Sequence, residues 1–293
     1  MFSESVGDRN RAAAAILASM FGYGVMDASS KILLHSIPAF EILFFRNLII
    51  LVGVILISRA TSTPRLVQTH QPLLQIVRSF AGNVAVLLFI ISYGFMQLAQ
   101  VVSVSFLAPI FAAVWDYLIF RQKTTWSDWV LVLIGCAGVW LILRPGFDVT
   151  GLQALLPLCA SVLLGFYLSA AKWLRPSESN LTVVLYFSLV GAIMSLPMVL
   201  LSWTNPSTYE LGLLFLGGCC GGIGIGLRNF SYRHAPAIFL GPFEYTGIIW
   251  AWLFGFLLFS ARPSAELIIG TIAIVMLNLF RLFVYRGSPK EIG

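Results

Sequence analysis

The sequence predicts an all-α polytopic membrane protein, ten transmembrane helices arranged as two inverted five-helix repeats. Three observations carry this prediction. Hydrophobic residues make up 59% of the 293 and charged ones only 10%, against roughly 45–50% and about 25% in soluble domains. Apolar stretches of about 20 residues, enough to cross a hydrocarbon core roughly 30 Å thick at 1.5 Å per residue, recur along the whole chain. The basic residues, finally, collect in alternate connections between those stretches. A mean hydropathy of +0.91 leaves too few polar side chains to cover a water-facing surface. A soluble or nucleic-acid-binding protein is not expected, despite the net charge of +6.

The first span, 11–34, carries Asp27 and Lys31 and has no cleavage site after it, so it reads as a retained helix rather than a signal peptide. The second (39–58) follows Pro38 and holds Arg46; the third (72–92) holds Arg78. The fourth (97–120) contains Pro109 and Asp116, and the fifth is 126–143. After Arg144-Pro145-Gly146 come the sixth (151–171) and the seventh (180–201), separated by Arg175-Pro176. The eighth (207–230) is dense in glycine, with Gly218, Gly222 and Gly226 spaced four apart as small residues are at close helix contacts. The ninth (236–259) holds Glu244, and the tenth is 264–284. Alternating ten-residue barrel strands are absent. Cys136, Cys159, Cys219 and Cys220 all fall in spans and read as small buried thiols.

With the N-terminus in the cytoplasm and ten alternating helices, the cytoplasmic segments hold twelve of the 18 Lys and Arg. The external segments hold only Arg144 and Arg262, while Lys31, Arg46, Arg78 and Arg228 stay within spans. This bias predicts both termini on the cytoplasmic side, and one helix more or fewer would scramble it. The halves also echo each other. Ala18-Ser19 and Lys31 recur as Ala160-Ser161 and Lys172, and Leu107-Ala108-Pro109 recurs as Leu240-Gly241-Pro242. Because five is odd, the second half would enter the membrane the other way round, the inverted arrangement of many secondary carriers. The predicted repeats run from 11 to 146 and from 151 to 286.

Further motifs carry a family resemblance. The stretch from Phe120 to Trp129, with Gly135, Gly138 and Arg144-Pro145-Gly146, resembles the close of an EamA-type repeat of the drug/metabolite transporter superfamily. Arg46, Arg78 and the segment from Leu98 to Pro109 fit the same repeat. Arg233-His234-Ala235-Pro236-Ala237, the segment from Pro242 to Thr246, and Pro263 are similar to the closing repeat of the branch that takes up S-adenosylmethionine and riboflavin. The resemblance implies a bacterial cytoplasmic (inner) membrane carrier for a small organic metabolite. Many relatives carry Glu where Gln122 and Ala261 stand here, which implies that a gating role of those acids is lost or relocated.

Charge within a span is rare because dehydration costs roughly 2.5–3.5 kcal/mol per residue at mid-helix, so the exceptions are candidates for the site. Glu244 lies too deep to escape to a helix end, next to Pro242. It reads either as a cavity carboxylate for substrate or proton, or as a structural partner of an arginine. Arg46 and Arg78 either line the cavity or snorkel. Asp27 and Lys31, four apart, share a helix face and read as a rim ion pair or a substrate contact. Asp116 is expected to pair with Arg121 or Arg78, and Arg228 with Asn229 to form an inner rim. Among the deeper aromatics, Phe106, Tyr167 and Tyr245 are candidate cavity rings. The expected site is therefore Glu244, Tyr245, Arg46, Arg78, Asp27, Lys31, Tyr167 and Phe106.

No Walker-type loop is present, so transport is expected to be secondary, by alternating access, coupled to a proton, another ion or exchange. No cofactor or metal is expected: His35, His70 and His234 lack metal-ligand spacing. A membrane-embedded enzyme would need a nucleophile or metal cluster, and a passive channel a repeated selectivity loop; neither is visible. The expected partners are the lipid bilayer, a small metabolite and a coupling ion, with the protein a monomer or a homodimer.

Overall fold

The structure is a computed structural model that describes residues 6–61, 66–119, 153, 155–174, 178–235 and 237–284. Those residues are helical throughout, with no strand among them. The first half contains α1 (Val6–Leu33), α2 (Ala39–Ala60), α3 (Pro72–Tyr93), α4 (Leu98–Ser105) and α5 (Ala108–Leu118). The second contains α6 (Leu155–Ala171), α7 (Asn180–Leu201), α8 (Thr208–His234), α9 (Ala237–Glu244), α10 (Thr246–Phe259) and α11 (Ala265–Val284). Among the described residues seven stretches are long and apolar enough to cross a membrane, α4–α5 and α9–α10 each counting as one, and α6 and the first part of α11 are shorter apolar helices. The expected fifth span, 126–143, and Cys136 lie outside the described residues.

Local chemistry explains most of the ends. Pro38 and Pro72 open α2 and α3, where a missing N–H costs nothing. Ser179 caps α7 through the Thr182 amide, and Ser207 with Glu210 forms a capping box on α8. Two spans expected to be continuous are broken. In the fourth, Pro109 cannot donate to the Ser105 carbonyl, and the amides of Phe106 and Leu107 turn to tighter bonds with Ser103 and Val104 at 3.3 and 3.0 Å. The ninth breaks at Tyr245, three residues after Pro242, and Ile248 bonds back to Tyr245 at 3.1 Å. At each break a hydroxyl fills in: Ser105 Oγ donates to Val102 O and Thr246 Oγ1 to Phe243 O, both at 2.7 Å.

Small residues and serines then set the packing. The antiparallel pair α1–α8 is the closest: a Cβ on Gly22 would stand 2.8 Å from the Cys220 carbonyl oxygen. Ser19 Oγ donates to Gly224 O at 2.7 Å, and Ser231 Oγ to Ala12 O at 2.9 Å. Of the expected glycine stripe, Gly218 meets Ile49 of α2, but Gly226 has open space beside it. The parallel pair α5–α6 runs in register: Ser161 Oγ bonds Val104 O, Gly165 lies against Ala108, and Ser169 bonds Asp116. Further packing joins α2 to α7 and α3 to α6. Asn83 bridges three helices, accepting from Asn47 of α2 at 3.0 Å and donating to Phe187 O of α7 at 2.9 Å.

Two buried or half-buried carboxylates tie helix starts to opposite loops. Glu41, near the start of α2, accepts from the amide and hydroxyl of Thr204 at 3.1 and 2.8 Å, in the loop between α7 and α8. Glu178, just before α7, accepts from the Thr69 hydroxyl and the His70 amide at 2.9 and 2.8 Å, in the loop between α2 and α3. The cysteines depart from expectation: among the described residues Cys159 is exposed and Cys219 and Cys220 are half-buried.

The α1–α8 contact leaves no room for a side chain at Gly22, so Gly22→Ala is expected to lower stability by about 1–3 kcal/mol. Gly212→Ala, at a position with open space around it, should leave stability unchanged or slightly raised. Thermal unfolding of the two purified variants beside the unaltered protein checks the contrast.

Candidate functional site

Packing leaves a cavity of about 350 Å³ inside the bundle. Its walls come from both halves of the chain. Asp27 is on α1, Arg46 on α2, Arg78 on α3, Arg228 on α8 and Glu244 at the end of α9, and all five line it. The remaining wall is largely aromatic, with Tyr23, Phe89, Phe106, Tyr167 and Phe187 among the lining side chains. The cavity thus sets charged groups among aromatic rings inside the bundle.

Glu244 has a place in the cavity wall and an arginine partner. It lines the cavity and accepts a hydrogen bond from Arg228 Nε at 2.7 Å, with about one fifth of its side chain exposed. Arg228, expected at an inner rim, is instead its partner, and its guanidinium also lies 5.6 Å from the Tyr232 ring. The sequence held a signal for this pair. Arg228 and Glu244 are each eight residues from Pro236 in the sequence, and residues equidistant from the turn of an antiparallel helical hairpin share a depth.

Arg78 is buried and doubly fixed by Tyr167. Its Nε donates to the Tyr167 carbonyl at 3.2 Å, and its guanidinium lies 4.1 Å over that residue's ring. Tyr167 in turn meets Phe187 edge-on at 5.4 Å and fills the space beside Gly82. Arg46, Asp27, Tyr23, Tyr93 and Tyr167 all line the same cavity, so that Arg46 and Asp27 lie within electrostatic range of one another, and Asp27 also interacts with the Tyr93 side chain. Phe106 lines the cavity at the break between α4 and α5 and touches Tyr245, at the break between α9 and α10, with ring centroids 5.1 Å apart.

Three expectations change. Lys31 does not pair with Asp27: its ammonium reaches past the end of α3 to the carbonyls of Tyr93 and Met96, at 2.5 and 2.6 Å, and is not in the cavity wall. The Tyr93 carbonyl is an acceptor at the C-terminus of α3, where a cation is favoured, and Met96 lies in the short segment that follows. Tyr245 stands against Phe106 and does not line the cavity itself. Asp116 binds Lys172 and Ser169, each at 2.5 Å, rather than Arg78, because α5 and α6 run parallel and bring their ends together; Arg121 lies outside the described residues. Among the described residues no group of His, Cys, Asp and Glu could hold a metal ion.

Comparison with known proteins bears on the family and the fold. Residues 10–144 match the EamA-like transporter family. Over 279 residues, 94% of this chain and 93% of the other, the protein is 22% identical to an S-adenosylmethionine uptake transporter of Rickettsia prowazekii. It is 26% identical over 268 residues to a pseudopaline exporter of Pseudomonas aeruginosa, covering 89% of this chain and 92% of that one. A riboflavin transporter of Vibrio cholerae is 27% identical over 221 residues, 74% of this chain and 72% of the other. One crystal structure superposes with a TM-score of 0.61 at 17% identity, covering 92% of this chain and 99% of that one, which supports the fold alone. The resemblance read from the motifs is thus borne out.

The ion pair makes a prediction independent of transport. Removing one partner leaves the other as an unmatched charge at membrane depth, whereas removing both leaves none. Glu244→Gln and Arg228→Gln should each lower the melting temperature by several degrees, and the double variant should recover part of the loss. A double variant less stable than either single one would contradict the pairing.

Proposed function

We propose that this protein, an EamA-type transporter of small metabolites and not an enzyme, works by alternating access about the charged cavity, driven by a coupling proton or ion. The observation that carries the reading is the cavity itself: five charged side chains from five helices, two acidic and three basic, meeting inside a bundle whose outer face is apolar. A structural ion pair needs two such groups, and a translocated substrate needs several.

The complete architecture in this reading is ten helices in two inverted repeats, 11–146 and 151–286, in a bacterial inner membrane with both termini cytoplasmic. Several features support it. Taking α4–α5 and α9–α10 as the fourth and ninth spans, exchange of the halves maps α1–α8 packing onto α6–α3 packing and leaves α2–α7 paired with itself. Both broken spans break near a proline and are patched by a hydroxyl. The Glu41 and Glu178 contacts exchange in the same way. Consecutive parallel helices, as α5 and α6 are, require a return crossing, for which the apolar stretch 126–143 has the right length.

In this reading Glu244 is the binding or coupling carboxylate and Arg228 holds it until substrate or proton arrives. Arg46, Arg78, Asp27, Tyr167 and Phe106 make the cavity wall. Lys31 and Tyr245 support the wall from behind, through the end of α3 and through Phe106. The substrate is of the S-adenosylmethionine, riboflavin or amino-acid kind, and the relatives include uptake proteins and an exporter.

Proteoliposomes test the mechanism. With labelled S-adenosylmethionine, riboflavin and a panel of amino acids under an imposed proton gradient, at least one compound should accumulate. Preloading the vesicles with it should accelerate uptake. Uptake indifferent to preloading would make the protein a channel. The Arg228→Gln/Glu244→Gln double variant, folded by its melting profile, should not accumulate substrate; accumulation at the unaltered rate would remove Glu244 from the mechanism.

A further inference from the structure

Two of the four cations that stay within spans are already satisfied. Arg228 is bound to Glu244 and Lys31 to two carbonyls. The two remaining cavity arginines are not. Nε of Arg46 and one terminal nitrogen of Arg78, Nη1, are buried without a hydrogen-bond partner. An unfilled buried N–H is costly, and more so on a charged group. Arg78, only 4% exposed, is held rigidly by the carbonyl and ring of Tyr167, so its empty donor is pre-positioned rather than loose. Arg46, Arg78 and Tyr167 line one and the same cavity.

The charge balance narrows what they await. Three arginines and two carboxylates line the cavity, an excess of one positive charge. That excess matches a monoanion and falls short of a phosphate dianion. A planar guanidinium presents paired N–H donors that fit the two oxygens of a carboxylate. Resting on the transporter reading above, we infer that the substrate carries a carboxylate, received jointly by Arg46 and Arg78, with its less polar part against Phe89, Phe106 and Phe187. This carboxylate pole stands on α2 and α3, whereas the ion pair stands on α8 and α9, so the two can be altered separately.

Matched probes test the pole directly. Phenylacetate, phenylacetamide and phenethylamine share one ring and differ in charge; S-adenosylmethionine and its decarboxylated form make a second pair. Titrated into the purified full-length protein, phenylacetate and S-adenosylmethionine should raise the melting temperature, and their uncharged or decarboxylated counterparts should not. Arg46→Gln, and Arg78→Lys, which keeps a cation over Tyr167 but loses the fork, should each weaken carboxylate binding about tenfold or more. Both variants are first checked for an unaltered elution profile and ligand-free unfolding, and either one alone suffices for the comparison. Equal protection by the amide or amine, protection by none of the carboxylates, or stronger protection by phenyl phosphate would overturn the assignment. Riboflavin has no carboxylate: if its counterflow is robust and indifferent to Arg46→Gln, the carrier stands and the carboxylate pole falls.

Discussion

Hydrocarbon offers a charge neither water nor a counterion, so charge inside a membrane bundle has to be matched by the protein or face an internal cavity. The centre of this molecule is arranged by that constraint. Lys31 is absorbed by the carbonyls that end α3, and Asp116 by Lys172 and Ser169. What is left gathers around one cavity, where Glu244 and Arg228 match each other and Asp27 and Arg46 lie in the same wall. Arg78 is held there by a tyrosine's ring and carbonyl. Among the described residues, this cavity is where the matching of charge is least complete.

The small residues make that incompleteness tolerable. Gly22 against the Cys220 carbonyl, with Ser19 and Ser231 bonded across the same interface, draws α1 and α8 together. Gly165 does the same for α5 and α6. Between these tight pairs, Asn83 ties α2 and α3 to α7. A rigid frame of this kind can hold a partly unsatisfied cavity open, where a looser bundle would collapse onto it.

Depth in the membrane was readable from the sequence, and rotation about the helix axis was not. Hydropathy and the spacing of prolines place Glu244 deep in its span and Arg46 and Arg78 within snorkelling reach of a span end, and all three line the cavity. Whether a side chain points into the bundle or along it depends on tertiary neighbours, since these helices are apolar on nearly every face. Hence Lys31, one turn from Asp27, turns towards α3, and Arg228 turns out to be the partner of Glu244 rather than part of a rim. Pro109 and Pro242 marked weak points, but the breaks fall at Phe106–Leu107 and at Tyr245, displaced by the tighter bonds and hydroxyls that take over the freed carbonyls.

Those displaced breaks bear on the proposed transport cycle. A bend in a helix serves a carrier only if the ligand can sense it, because a ligand shifts a conformational equilibrium only by binding its states differently. Phe106 satisfies that condition: it belongs to the cavity wall, sits at one break and rests on Tyr245 at the other. Glu244 immediately precedes the second break. Arg46 and Arg78, by contrast, stand on the unbroken helices α2 and α3. A substrate held at one end by those arginines and lying against Phe106 would span the stiff part of the bundle and the part able to bend. Occupancy of the cavity and the angle of the two broken spans would then be linked through a single aromatic contact.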